Sequence, residues 1–275
     1  MLSGHCELDD LGVLTVRGRD AVAFLQGQLS QDVTRLGAGQ ASFAGCHTPQ
    51  GRVIAILRLL PGDDAIHCVL PQELIEALAA RLRKYVLRSK VTLADERGRL
   101  RVIGVAHAGL RTLRIEAAAA APGPAAADND AITRAAWRAL DIADGLPQVY
   151  RATSEAFVAQ MLNLDCVGGI AFDKGCYTGQ EIIARAHYRG RVKRRMQRFR
   201  TVEAPATPLA PGVSGVLADG STFQVVDSVT LADGRAEFLA VAPLVAPDVP
   251  VPGTGAGTAA VTGAEVLSLP YALPD

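Results

Sequence analysis

The sequence predicts an α+β fold with a small C-terminal β-barrel. Before residue 200, segments with the two-residue apolar spacing of strands are interspersed with segments of helical spacing, which is typical of α+β proteins. After Arg200 the helical spacing disappears, and short apolar runs between Pro- and Gly-rich turns indicate a barrel. A length of 275 residues suits two domains, which we place at residues 1–197 and 198–275.

Apolar spacing and turn residues predict each element in order. The N-terminal elements are a strand at 11–16, a helix capped by Asp20 that runs to Val33, paired strands at 52–60 and 65–70, a helix opened by Pro71, and strands at 90–94 and 100–106. Further along, we expect an exposed loop at 117–128, a helix at 132–142, a helix from Ser154 to Met161, and a helix from Thr178. The C-terminal strands are expected near 213–217, 223–231, 236–241 and 259–267.

Composition excludes several classes of protein. The net charge is zero, so no overall field attracts nucleic acid or a membrane. The five cysteines include no C-x-x-C pair, which argues against a zinc or iron–sulfur cage within the chain. No leader and no apolar run of the roughly 20 residues that span a membrane is recognisable. We therefore expect a cytoplasmic protein with free thiols.

Cys176 lies in the segment that is the strongest candidate for a functional site. Thr178-Gly179-Gln180-Glu181 has the form of a capping box, which predicts a helix that starts at Thr178. A helix N-terminus and the nearby Lys174 both favour a thiolate over a thiol. The alternative is a buried structural cysteine at a tight turn, the commoner role of a free cysteine.

A basic stretch follows this segment. In an extended strand, alternate residues from 187 to 195 would share one face and form a stripe that could hold a polyanion such as RNA or a polyglutamate tail. The members of that stripe are His187, Arg189, Arg191, Lys193 and Arg195. The alternative is a solvated or edge-strand face, and the zero net charge and scarcity of aromatic residues favour it over RNA binding.

The eight residues from Lys174 to Glu181 resemble the signature of the YgfZ family of folate-binding proteins. That family is related to the glycine-cleavage T-protein, an aminomethyltransferase. Weaker matches at 24–33, 46–51, 137–147 and 269–271 extend the resemblance across nearly the whole chain.

The resemblance implies a ring-like body of ferredoxin-like halves and a C-terminal barrel. It also implies bound tetrahydrofolate, including polyglutamylated forms, and a role in assembling or repairing iron–sulfur clusters that indirectly supports tRNA modification. The implied partners are folate and either iron–sulfur proteins or cluster-assembly proteins. We expect no membrane partner and no direct binding of RNA.

The resemblance also assigns roles to residues. By this resemblance Cys176 is the functional thiol and takes the role of a catalytic residue. The implied folate-binding residues are Trp137, Leu11, Asp144, Lys174, Tyr177 and Gln180. Trp137, the only tryptophan, would offer its ring to the pterin, although a core position is the default for this residue type.

Three departures from the family pattern bear on catalysis. Leu11 stands where some relatives have a second tryptophan, and Asp144 is displaced by one position from the family's usual glutamate. Ala55 or Ile56 occupies the place of the transferases' catalytic aspartate, so no carboxylate is positioned for proton transfer at the folate nitrogen. This argues against a conventional enzyme. A folate-dependent aminomethyl or other one-carbon transferase is the main alternative, and an RNA-binding module is the third.

Overall fold

The computed structural model describes residues 3–37, 41–118, 131–244 and 263–274. Strands predominate over helices there, which confirms the α+β prediction. The strands are β1 (Gly4–Glu7), β2 (Leu11–Arg17), β3 (Ser42–His47), β4 (Val53–Gly62), β5 (Ala65–Pro71), β6 (Thr92–Asp95), β7 (Leu100–His107), β8 (Leu110–Ala117), β9 (Arg194–Thr201), β10 (Ser214–Val216), β11 (Thr222–Thr230), β12 (Ala236–Pro243) and β13 (Ala264–Leu267). The helices are α1 (Ala21–Gln26), α2 (Gln72–Val86), α3 (Arg134–Ala143) and α4 (Gln180–Arg189), with short 3-10 turns at Val33–Arg35, Arg151–Thr153 and Ala159–Leu162.

The chain divides into two compact units, each assembled from separate stretches of sequence. The first unit comprises Met1–His47, Ile54–Trp137 and Gly168–Thr178. The second comprises Thr48–Val53, Arg138–Val167 and Gly179–Asp275. The domain boundary that we place after residue 197 falls inside β9 and stays a prediction.

The first unit contains a five-stranded sheet in the order β3-β4-β5-β2-β6, in which β2 pairs antiparallel with β5 and β6, and β4 with β5. The predicted pairing of β4 with β5 is confirmed, with Gly62 opposite Ala65 at the turn. Pro71 precedes α2, as predicted, because its fixed φ suits a helix start and its missing N–H costs nothing there. The apolar face of α2 is buried through Leu74, Leu78 and Leu82, since residues three to four apart share one side of a helix, whereas Tyr85, which we expect on the same face, is exposed.

A second sheet of the same unit has the order β1-β7-β8. The two strands expected around Arg97-Gly98 exist, but they belong to different sheets, because β6 pairs with β2 while β7 pairs with β1 and β8. A core cluster joins residues of both sheets, with Val13 and Val69 from the first, Val102 from the second, and Trp137 from α3.

The second unit contains the sheet β10-β11-β12-β9-β13. Its core is a set of three phenylalanine rings, Phe199, Phe223 and Phe238, with centroids 5.3 to 6.3 Å apart. All four strands predicted in this region are present, although residues 259–262 of the last run lie outside the described residues. Within the described residues β10 and β13 form the edges of the sheet, so a closed barrel stays a prediction.

Two predicted helices are wrong in extent or kind. The helix after Asp20 ends at Gln26, and the Asp20 carboxylate accepts a hydrogen bond from the Lys90 amide (2.7 Å) instead of capping α1. The helix expected from Ser154 to Met161 is absent. In its place the Glu155 amide donates to the Val53 carbonyl (2.8 Å), and the Val53 amide donates to the Phe157 carbonyl (2.8 Å). These strand-like bonds show that tertiary pairing here overrides the helical propensity of the segment.

Most of the loop expected at 117–128 falls on residues 119–130, which lie outside the described residues. Among the helices described, none has the length and apolar character that crossing a bilayer requires.

Candidate functional site

Cys176 is the most accessible of the five cysteines, all of which lie in described residues. Cys176 is exposed, Cys166 is half-buried, and Cys6, Cys46 and Cys68 are buried. Burial raises the pKa of Cys46 to about 11 and that of Cys68 to about 12, and burial followed by the Asp165 charge raises that of Cys166 to about 11. The alternative of a buried structural cysteine therefore does not apply to Cys176.

The helix after Cys176 starts differently from the prediction. Gly179, and not Thr178, is the N-cap of α4, and no side chain caps the helix, so the predicted capping box is wrong. Gly179 has φ +84°, a left-handed conformation that a residue with a side chain would resist. Cys176 therefore lies four residues before the first helical residue, beyond the first turn in which the helix dipole is strong.

Lys174 is bound by the backbone of a distant segment. Its Nζ donates to the carbonyl oxygens of Gln26 (2.8 Å), Leu29 (2.6 Å) and Gln31 (2.8 Å). An ammonium group has three hydrogens, so all of them are donated to these acceptors. Burial lowers the pKa of Lys174 to about 8, with the Asp32 carboxylate opposing the shift. From the sequence we expect the Lys174 ammonium beside the Cys176 thiol. In the structure its three hydrogen bonds go to backbone carbonyl groups.

Tyr177 supports the same loop from the other side of Cys176. Its ring is buried, and the Lys174 Nζ lies 5.0 Å from the ring centroid, a cation–π distance. The His47 ring packs 6.2 Å from the ring of Tyr177, centroid to centroid. Burial raises the pKa of Tyr177 to about 12 and lowers that of His47 to about 3, so both rings are neutral near pH 7.

Trp137 and Leu11 are brought together in the core cluster of the first unit. Trp137 is only 3% exposed, and Leu11 is partly buried against the same cluster. The indole packs on Gly104, and the Arg111 guanidinium lies 5.0 Å from the ring centroid. The indole Nε1 is buried and has no hydrogen-bond acceptor within the described residues.

Asp144 and Gln180 belong to the second unit. Asp144 is exposed, in the turn that follows α3, and Gln180 is the first residue of α4. The turn at Asp144 is closed by Gly145 at φ +64°, whose carbonyl accepts a hydrogen bond from the Tyr271 hydroxyl (2.7 Å). A Cβ at Gly145 would lie 2.7 Å from that hydroxyl, so glycine is required beside Asp144.

The basic stripe expected from residue 187 to residue 195 is wrong as a strand face. Helix α4 continues through His187 to Arg189, and β9 begins only at Arg194. Arg195 is buried, and its guanidinium contacts the Asp165 carboxylate at 2.9 and 3.0 Å. The alternate basic residues from 187 to 195 therefore do not share one surface.

Sequence reasoning missed a partly buried polar cluster in the second unit. Arg138 on α3, Tyr150 and Asp227 on β11 are linked by hydrogen bonds. Burial raises the pKa of Asp227 to about 6, although Arg138 opposes the shift. These residues are up to 89 positions apart in sequence, and no local pattern marks them.

Two further features bear on chemistry. Ala55 and Ile56, one of which we expect in the place of the transferases' aspartate, are fully buried in β4. Across the described ranges, no group of three His, Cys, Asp or Glu side chains is arranged to hold a metal ion.

Comparison with known proteins bears on the fold and the family. No protein-family model matches the chain. The glycine cleavage system aminomethyltransferase T from Bartonella henselae has a similar structure, with a TM-score of 0.65 and 13% identity over 88% of this chain and 79% of that one. At that level of identity the likeness concerns the fold.

Sequence relatives are more informative. The protein called tRNA-modifying protein YgfZ from Enterobacter sp. (strain 638) is 34% identical over 224 residues, covering 68% of each chain. The protein of the same name from Klebsiella pneumoniae (strain 342) is 32% identical over 224 residues, with the same coverage. With the resemblance at Lys174–Glu181 and the shared fold, these similarities show that the chain belongs to the YgfZ family.

Proposed function

We propose that this chain is a tetrahydrofolate-binding accessory protein for the assembly or repair of iron–sulfur clusters, and that it supports tRNA modification indirectly. The observation that carries the proposal is the exposed thiol of Cys176, in a loop held by buried contacts of Lys174 and Tyr177. A thiol presented in this way can contact sulfur, iron or a partner protein. The tRNA-modifying names of its relatives are consistent with a role upstream of such enzymes.

The chemistry of Trp137 supports a folate ligand. Folate has a flat pterin, hydrogen-bond acceptors on that ring, and anionic glutamate carboxylates. Trp137 has an aromatic face and a buried Nε1 without an acceptor in the described residues, and Arg111 supplies a cation beside it. Because the guanidinium lies over the indole, stacking of a pterin on that face requires Arg111 to move aside, where it could meet a glutamate carboxylate.

A folate-dependent one-carbon transferase is the second candidate, favoured by the fold shared with aminomethyltransferase T. Against it, Ala55 and Ile56 provide no carboxylate at the place expected for proton transfer. Turnover of methylene-tetrahydrofolate by the purified protein, lost on Cys176→Ser, would establish this activity in place of the accessory role.

Other expectations belong to the same proposal. We propose that Leu11, Asp144, Lys174, Tyr177 and Gln180 complete the folate site in the manner of the family, with Lys174 acting through the loop that it holds. We further propose a cytoplasmic location, where thiols stay reduced, and closure of the C-terminal sheet into a barrel.

Folate binding is tested by titrating the protein with tetrahydrofolate while following its fluorescence. Because Trp137 is the sole tryptophan, a saturable change in emission reports a ligand beside that residue. We expect Trp137→Phe to lose the signal and to weaken binding measured by calorimetry. Binding of equal affinity in Trp137→Phe would remove Trp137 from the site, and no binding to the wild-type protein would refute the folate part of the proposal.

The role of the thiol is tested in cells that lack the endogenous protein. We expect Cys176→Ser to fold normally and to lose most of its support for the activity of an iron–sulfur tRNA-modifying enzyme. Cys166→Ser is the matched control, because Cys166 is half-buried beside Arg195 and should retain support. Full support from Cys176→Ser would contradict the proposal.

Direct RNA binding is tested separately. Because the stripe on which it depended is absent, we expect purified protein to show no saturable binding of tRNA at low salt. Tight binding that weakens steeply with added salt would show instead that RNA is contacted directly.

A further inference from the structure

Lys174 lies where three backbone carbonyl groups converge. The oxygens of Gln26, Leu29 and Gln31 are 2.6 to 2.8 Å from its Nζ. Gln26 is the last residue of α1, where carbonyl groups lack helical partners. A cation at the C-terminal end of a helix is also favoured by the helix dipole, so the ammonium serves this segment as a cap.

Additional bonds attach the residues before Lys174 to the same segment. The Ser30 Oγ donates to the Gly169 carbonyl (2.6 Å), and the Ala171 amide donates to the Ser30 carbonyl (2.9 Å). The Gln31 side-chain amide donates to the Gly168 carbonyl. These contacts hold residues 168–171, whereas Lys174 makes the hydrogen bonds closest in sequence to Cys176.

Without the hydrogen bonds of Lys174, few contacts would fix the conformation of the backbone at Gly175 and Cys176. Gly175 has open space where a Cβ would be, and both Gly175 and Cys176 are exposed. Tyr177, the next residue, is buried with its ring against the Lys174 ammonium. Cys176 is therefore held between two anchors, and one of them, Lys174, contacts the other.

We propose that Lys174 is a positioning residue: its ammonium group clamps the loop 168–178 to the segment 26–31 and thereby sets the direction in which Cys176 presents its thiol. The proposal deepens the function proposed above, because the thiol concerned is the one assigned there. Lys174 acts through the hydrogen bonds by which it holds the loop.

The clamp has a predictable dependence on pH. Because burial lowers the pKa of Lys174 to about 8, the amine loses its charge above that pH and has two hydrogens for three acceptors. Among the groups that face it, Tyr177 has a pKa raised by burial to about 12, and His47 has a pKa lowered by burial to about 3. Hydrogen bonds from Thr34 and Gln26 lower the pKa of Asp32. In the exposed pair of Arg35 and Asp173, their mutual hydrogen bond raises the pKa of Arg35 and lowers that of Asp173.

The experiment is amide hydrogen exchange of the full chain without folate or partner proteins. We compare the wild type with Lys174→Met, which keeps the length of the side chain and removes the ammonium. Loss of charge-assisted hydrogen bonds should speed the exchange of peptides covering 168–178 by about tenfold or more, while β11 and β12 exchange at the wild-type rate. Lys193→Met is the matched control, because Lys193 is exposed and outside the loop.

A pH series on the wild type gives a second readout that a side chain acting by packing alone would not move. After correction for intrinsic rates, protection of 168–178 should fall between pH 7 and 9.5, and Lys174→Met should show no such change. At a fixed pH of about 7, alkylation of Cys176, followed by mass spectrometry, should be faster in Lys174→Met than in the wild type, because the loop is released.

Several results would overturn the inference. Wild-type protection of the loop in Lys174→Met would do so, as would a flat pH series in the wild type or an equal effect of Lys193→Met. If Lys174→Met fails to fold, the wild-type pH series still decides. None of these measurements involves folate or iron–sulfur enzymes. The positioning role of Lys174 can therefore be refuted while the proposed function stands, and the proposed function can be refuted while the positioning role stands.

Discussion

Arg138 of α3 and Asp227 of β11 form an ion pair (Nε to Oδ1, 3.5 Å) that the Tyr150 hydroxyl also bridges. The Arg138 Nη2 donates to the Tyr150 hydroxyl (2.7 Å), which in turn donates to the Asp227 Oδ2 (3.0 Å). The register of β11 against β12 shifts between Val225 and Asp227, and this irregularity accompanies the carboxylate's buried position. The second unit thus contains a buried carboxylate whose partners include the Arg138 cation, the Tyr150 hydroxyl and the Ser228 amide, which donates to Oδ1 (2.9 Å).

Asp227 should make stability depend on pH in an unusual direction. Burial raises its pKa from 3.8 to about 6, so the folded state binds this proton more tightly than the unfolded state. The stabilisation that the protonated Asp227 carboxyl contributes is fully present below about pH 4 and is lost as pH rises through 6. Relative to Asp227→Asn, the wild type should lose about 2–3 kcal/mol across this window, measured by urea unfolding. An equal pH dependence in both proteins would contradict the assignment.

Arg195 should be essential to stability, unlike its basic neighbours in the sequence. Its guanidinium and the Asp165 carboxylate have only 4% and 6% of their side-chain surface exposed. Arg195→Met leaves a buried carboxylate unpaired and should lower the free energy of unfolding by about 3–5 kcal/mol. The exposed Arg191→Met is the control and should change it by less than about 0.5 kcal/mol.

The cysteines should react with iodoacetamide in an order set by burial. In the native protein Cys176 should be modified first, Cys166 more slowly, and Cys46 and Cys68 only after unfolding. Peptide mass spectrometry over a time course measures this order. Early modification of Cys46 or Cys68 would show that the core opens more readily than the structure indicates.

Gly104 should tolerate no side chain. A Cβ at this position would lie 2.7 Å from the Trp137 ring, so Gly104→Ala must displace the indole and should cost about 1–3 kcal/mol of stability. A shift in the emission of Trp137 should accompany the loss. Gly175→Ala is the control for stability, because no atom lies within 4 Å of its added Cβ.

The parts of the fold that follow local patterns could be predicted from the sequence. The β4–β5 pair, helix α2 after Pro71, and the C-terminal strands are encoded by spacing and turn residues that operate over a few positions. The helix expected after Ser154 failed because strand-like bonds to Val53, about 100 positions earlier, replaced helical ones.

The candidate site shows the same division. The exposed position of Cys176 was expected as one of two alternatives, and so was a helix just after it. The partners of Lys174 are 143 to 148 positions away, so no motif could reveal that its ammonium binds carbonyl groups and not the neighbouring thiol. The displaced cap at Gly179 likewise depends on a backbone conformation that Thr178 and Glu181 do not determine.

The interleaving of the two units has a consequence for biosynthesis. The first unit includes Gly168–Thr178, so it cannot be completed until the ribosome has also released Arg138–Val167 of the second. Until then the carbonyl groups of Gln26, Leu29 and Gln31 must be satisfied by water, because Lys174 has not been translated. The nascent chain should therefore gain its ordered cysteine loop late, in a step that fragments ending before Lys174 cannot reproduce.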